Sequence, residues 1–205
     1  MHPEALTEKG KEIFPKLLEF PDFYLAGGTA LALQIGHRIS VDFDLFCEHE
    51  IEKTLLSKIK RVFQYKQISP LINNPDELTI SIDDVKLTFL AYPFPIMKPF
   101  VNLDGLKSLG ILELAATKAY TVGRRGSFKD YVDLYYFLSG NYAALGDIIE
   151  LAENKFGNDF NSRLFLEQLI YLDDVEEIGI SFLQKHISKS EIEEFFIQAV
   201  KKISF

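Results

Sequence analysis

Between Gly27 and Phe46 the chain reads GGTALALQIGHRISVDFDLF, which places Asp42 and Asp44 inside an apolar run of Val41, Phe43, Leu45 and Phe46. Such a run predicts a strand over 41–46, and buried carboxylates are costly unless something positive meets them. Either the strand is open to solvent here or a cation sits against it. Alternate residues of a strand share a face, so Ser40, Asp42 and Asp44 point one way and Val41, Phe43 and Leu45 the other. Two carboxylates side by side repel unless a divalent ion bridges them. An all-oxygen donor set suits Mg²⁺, with Mn²⁺ as the alternative, and such ions keep positions open for substrate phosphates.

Upstream, Gly27-Gly28-Thr29 leads into a predicted helix over 29–35, with Gly36 as its stop signal. Glycines let backbone N–H groups approach an anion, and a helix N-terminus favours negative charge. A Gly-Gly turn alone is commonplace, and an Asp-x-Asp at a strand end is often just solvated. In this order and at this distance the two are far more specific. A phosphate cradle followed by a metal-binding strand is what moving a nucleotide requires, because the metal neutralises phosphates and activates the attacking oxygen.

The surrounding pattern predicts an α+β fold, a small mixed sheet with helices followed by a helical half. Residues 4–20 carry apolar positions at helical spacing, interrupted near Pro15, and Tyr24-Leu25-Ala26 reads as a short strand. An amphipathic helix is expected over 51–63, then a hairpin of strands 77–82 and 85–90 about Asp83-Asp84. Three prolines between Tyr92 and Pro99 mark a linker. Helices are expected over 111–124, 128–139, 144–156, 160–172, 175–187 and 190–203. The domains expected from this are 1–100, carrying the sheet, and 101–205, helical.

With 205 residues and a formal charge of −8, the chain is not coated with positive charge for nucleic acid, although a local basic patch stays compatible. A single cysteine makes no internal disulfide, and four scattered histidines do not offer the usual zinc spacing. No apolar stretch is long enough to span a membrane and no secretory signal opens the chain, so a cytoplasmic protein is expected. No internal repeat or low-complexity segment is visible.

A second cluster follows. Residues 115–129 hold Lys118, Arg124, Arg125 and Lys129 and no acid, a local reversal of the overall charge. On a helix Lys118, Val122 and Arg125 share a stripe that could hold a triphosphate or a nucleic-acid backbone. Read plainly, Arg124 and Arg125 are a solvated inter-helix loop. Ser127 and Asp130 read as a capping box opening the next helix, which leaves Asp133 unexplained.

Gly27-Gly28, thirteen intervening residues and Asp42-Phe43-Asp44 resemble the signature of the nucleotidyltransferase superfamily that includes DNA polymerase β. The fuller GGTALAL…HRISVDFDLF, with Lys118, the arginines and Lys129-Asp130-x-x-Asp133-Leu134, resembles the AbiEii/AbiGii toxin family of abortive-infection toxin–antitoxin systems. The resemblance implies nucleotide transfer from an NTP to an acceptor hydroxyl, with tRNA or another RNA as acceptor and an antitoxin as partner. It makes Asp42 and Asp44 metal ligands and catalytic. Gly27, Gly28, Thr29, Arg38 and Ser40 would line the nucleotide site, Lys118 would grip the triphosphate with Arg125 and Lys129 in support, and Asp130 or Asp133 would act as base or positioning group. One departure stands out. Many nucleotidyltransferases carry a third carboxylate on a later strand, and here Thr88 occupies the expected place. Asp130 or Asp133 could replace it. Otherwise the chain is an inactive nucleotide- or protein-binding module, or a structural domain with surface aspartates. A phosphate-hydrolysing enzyme could also use paired carboxylates, but the Gly-Gly loop favours transfer.

Overall fold

The computed structural model describes residues 1–64 and 66–203, without the side chain of Arg125. Two compact units emerge, one of Met1–Phe94 and Phe100–Leu109, the other of Pro95–Pro99 and the chain from Gly110 onward. The division therefore falls elsewhere than at 100/101, because residues 101–108 add strands to the first unit while the proline segment belongs to the helices.

In the first unit, α1 (Glu8–Ile13) starts at Thr7, whose hydroxyl accepts the Gly10 N–H, and Pro15 lies in a 3₁₀ turn, Phe14–Glu19, that follows it. β1 (Tyr24–Ala26) runs into α2 (Gly27–Ile35), which stops at Gly36 with φ +62°. The glycines thus form the first turn of the helix rather than precede it. Then come β2 (Phe43–Cys47), α3 (Leu55–Val62), β3 (Ile68–Asn73), β4 (Glu77–Ile82), β5 (Val85–Ala91), β6 (Val101–Leu103) and β7 (Leu106–Ser108). They form one seven-stranded sheet in the order β3-β4-β5-β2-β1-β7-β6. It is mixed, as expected: β2–β5 and β1–β7 are parallel and the other pairs antiparallel. Asp83 and Asp84 turn the β4–β5 hairpin with φ of 49° and 72°, the left-handed pair that a tight hairpin needs. Asp104 and Gly105 do the same between β6 and β7, a turn signal overlooked in the sequence because its strands are too short to show alternation.

The pleat sorts the sheet into two faces. Phe43, Leu45, Leu87 and Phe89 lie on one face, and aromatic contacts at 6.4 Å (Phe14–Phe43), 5.3 Å (Phe20–Phe89) and 5.0 Å (Phe23–Phe89) pack the N-terminal segment there. Burying such rings contributes about 1.5–3 kcal/mol each. Ala26, Asp44, Thr88 and Thr79 are register partners across β1, β2, β5 and β4 on the opposite face.

The second unit contains α4 (Ile111–Arg125), α5 (Phe128–Ser139), α6 (Leu145–Phe156), α7 (Ser162–Leu169) and α8 (Lys189–Lys201), the last opened by a Ser188/Glu191 capping box. The helix expected over 175–187 does not form. Val175, Ile178, Phe182 and Leu183 recur at helical spacing, but only Val175 and Ile187 of that stretch are buried, so the apolar stripe is not docked, and Gly179 disfavours a helix. Arg124 lies within α4 rather than in a loop, exposed, with its guanidinium 3.8 Å above the Tyr120 ring and donating to the Asp159 carbonyl. The proline segment is not a loose linker either. Glu113, fully buried, accepts the N–H groups of Met97 and Lys98, while Lys155 Nζ lies 2.6 Å from Glu113 Oε2 and donates to the Pro95 carbonyl at 2.9 Å.

Candidate active site

Asp44 sits where β2 passes the start of α2. Its register partner is Ala26, so its side chain lies beside Gly27. A Cβ on Gly27 would stand 2.0 Å from Asp44 Oδ2, and Gly27 has φ +66°. Both the carboxylate and the backbone therefore demand glycine here. We predict that Gly27→Ala displaces Asp44 and lowers kcat/KM about a hundredfold, the usual cost of misplacing a reacting group by an ångström. The same substitution at Gly126, whose Cβ would meet nothing within 4 Å, serves as the control in that assay, although its φ of +46° carries its own strain.

Asp42 lies one residue before the strand begins. Its Oδ1 accepts the Lys86 backbone N–H at 3.3 Å, and Lys86 Nζ stands 3.9 Å from Oδ2. The carboxylate is about a third exposed, which leaves it accessible to a ligand. Behind it, Thr29 hydrogen-bonds both the Asp42 carbonyl and Ser40 Oγ, the latter at 2.7 Å. A carbonyl only accepts, so the Thr29 hydrogen goes to Asp42 and the Ser40 hydroxyl donates to Thr29. Thr29, Arg38 and Ser40 are 1%, 4% and 7% exposed, and Arg38 donates to the Ile39 carbonyl. Thr29 and Ser40 thus fasten the loop before β2 to α2. Gly28, half-buried, lies in the first turn of that helix.

In the helical unit, α4 and α5 bring Lys118, Asp130 and Asp133 together. Lys118 Nζ lies 2.6 Å from Asp130 Oδ1 and 2.7 Å from Asp133 Oδ2, with the two carboxylates 1% and 0% exposed. Lys118 thus faces both carboxylates, which offsets part of the cost of burying them. The pairing also explains Asp133, one helical turn from Asp130 on the same face. The capping box expected at Ser127 is not made. Ser127 is the N-cap residue but its side chain accepts no cap hydrogen bond, and the Asp130 carboxylate goes to Lys118 instead. Lys129 is half-buried in the first turn of α5, and the Arg125 side chain lies outside the described residues.

Thr88 is the β5 register partner of Asp44. Among the described residues no group of three or more His, Cys, Asp or Glu side chains comes together as a metal cage. Two carboxylates alone would leave an ion to draw its remaining oxygens from phosphate and water. Sequence reading passed over Glu77 and Thr79, whose alternation in β4 puts them on the Asp44 face.

The family model for the nucleotidyl transferase AbiEii toxin of type IV toxin–antitoxin systems matches residues 11–202. The chain belongs to the AbiEii family. It is 33% identical over 184 residues to an uncharacterized protein of Aquifex aeolicus (strain VF5), covering 88% of this chain and 87% of that protein. Among solved structures it resembles MenT4, a nucleotidyltransferase toxin of Mycobacterium tuberculosis H37Rv, with TM-score 0.61 and 15% identity over 90% of this chain and 77% of that one. A crystallised H. pylori protein assigned as a nucleotidyltransferase gives TM-score 0.58 and 19% identity, covering 98% and 94% of the two chains. These likenesses establish the nucleotidyltransferase fold for this AbiEii protein, and the family is one of nucleotidyltransferase toxins. No helix among the described residues is long and apolar enough to cross a membrane.

Proposed function

We propose that this AbiEii protein transfers a nucleotide from an NTP to an acceptor hydroxyl on RNA, with tRNA as the first acceptor to test, using Mg²⁺ or Mn²⁺ held by Asp42 and Asp44. The observation that carries the reading is the Asp44 carboxylate set against the side-chain-free backbone of Gly27, at the first turn of α2. A bound ion there would neutralise phosphate charge and lower the pKa of an attacking hydroxyl. Gly27 and Gly28 would offer backbone N–H groups to the triphosphate, with Thr29, Arg38 and Ser40 as its supports. In the helical unit Lys118, aided by Arg125 and Lys129, would meet phosphate charge, and Asp130 or Asp133 would orient or deprotonate the nucleophile. A toxin of this kind would act in the cytoplasm and be restrained by a cognate antitoxin.

Thr88 beside Asp44, where many nucleotidyltransferases have a third carboxylate, favours a second reading: a nucleotide- or protein-binding module that keeps the fold without catalysis. One experiment separates them. Each α-labelled NTP is incubated with the protein, Mg²⁺ and total RNA, and label is followed on RNA and on protein. Transfer to RNA is the expected result. Nucleotide binding without transfer to anything supports the second reading instead.

A further inference from the structure

We propose that Thr88 is a neutral third oxygen ligand of the metal held by Asp42 and Asp44, and that Glu77 sets its lone pairs toward the ion through Thr79. This rests on the reading of the aspartates as metal ligands. The row is built by register: Asp44 pairs with Thr88, Thr88 pairs with Thr79, and Glu77 lies two residues before Thr79 on the same face of β4. Side-chain contacts join it. The Thr79 hydroxyl lies 2.5 Å from Glu77 Oε1 and 3.2 Å from Thr88 Oγ1.

A hydroxyl has one hydrogen and two lone pairs. An ionised carboxylate only accepts, and hydrogen bonds to it are short and strong, so the Thr79 hydrogen belongs to Glu77. Thr79 is then an acceptor toward Thr88, and the Thr88 hydroxyl must donate to it. The Thr88 hydrogen is thereby drawn away from Asp44, and its lone pairs turn to the Asp44 side. Without Glu77 the hydrogen of Thr79 could turn to Thr88, and that of Thr88 could turn to Asp44 and compete with the ion. Thr79 is 4% exposed, which shields the relay from water and sharpens the preference. Glu77 is thus a positioning residue two strands from the metal, and the acid missing from β5 acts from β4.

The test reads Mn²⁺ affinity of the full chain by electron paramagnetic resonance, with circular dichroism and thermal melts to confirm folding. Glu77→Ala is expected to weaken Mn²⁺ binding about tenfold, the lower end of what outer partners of metal ligands contribute. Thr79→Val, nearly isosteric and independent of any loss at the strand end, is expected to do the same. Thr88→Asp supplies the acid directly, so adding Glu77→Ala to it is expected to change nothing. A merely structural role for Glu77 would not be relieved in that background. If Asp44→Asn abolishes Mn²⁺ binding while Glu77→Ala and Thr79→Val bind as the unmodified protein does, the relay is wrong. If Asp44→Asn binds Mn²⁺ normally, the metal reading itself falls and the relay with it.

Discussion

Asp44→Asn is expected to lower nucleotidyl transfer about a thousandfold, as loss of a preorganised charge at a reacting phosphate does, while the protein stays folded. Asparagine keeps the shape beside Gly27, so neither the strand pairing to Ala26 and Thr88 nor the close approach to the glycine backbone is disturbed. What disappears is the negative charge that would hold the ion. Mg²⁺ should separate the two proteins. At a hundredfold excess over its dissociation constant a ligand stabilises the folded state by about 2.7 kcal/mol, and that increment should appear in melts of the unmodified chain and vanish in the variant. Activity retained within a few fold would remove Asp44 from the chemistry.

Lys155→Met is expected to have the largest effect on stability, a loss of about 3–5 kcal/mol, because it strands a buried carboxylate. Glu113 would still receive the Met97 and Lys98 N–H groups, but its charge would lose the ammonium 2.6 Å away. Adding Glu113→Gln should recover part of the loss. The amide oxygen can still accept both N–H groups, and no unpaired charge remains. A double-mutant cycle in urea denaturation measures the coupling. Additive effects of the two substitutions would show that the pair contributes no interaction of its own. Because Lys155 also donates to the Pro95 carbonyl, the variant should expose the 95–98 segment to proteolysis before the helices themselves unfold.

The legible parts of the molecule were those with local causes. Pro15 interrupts a helix through its own missing N–H, Gly36 ends α2 through its left-handed conformation, and Asp83-Asp84 makes a hairpin through its turn geometry. That Thr88 stands opposite Asp44 came from strand register. The helix expected over 175–187 failed because its apolar positions, Ile178 and Leu183 among them, stay exposed, and a helix is held mainly by the packing of its apolar face. The Ser127 cap failed for another reason. A local hydrogen bond from Asp130 competes with a buried lysine twelve residues away, and in a low dielectric the lysine wins.

From residue order alone came the glycine pair, the strand that carries Asp44, and the kinship these imply, since all are properties of neighbours along the chain. Partners that are not neighbours along the chain were decided only in three dimensions. Glu113 meeting Lys155, Lys118 held between Asp130 and Asp133, and Glu77 reaching Thr88 through Thr79 each depend on how strands register and helices pack. Burial is what gives such pairs their strength, and burial belongs to the whole packed chain rather than to any stretch of it.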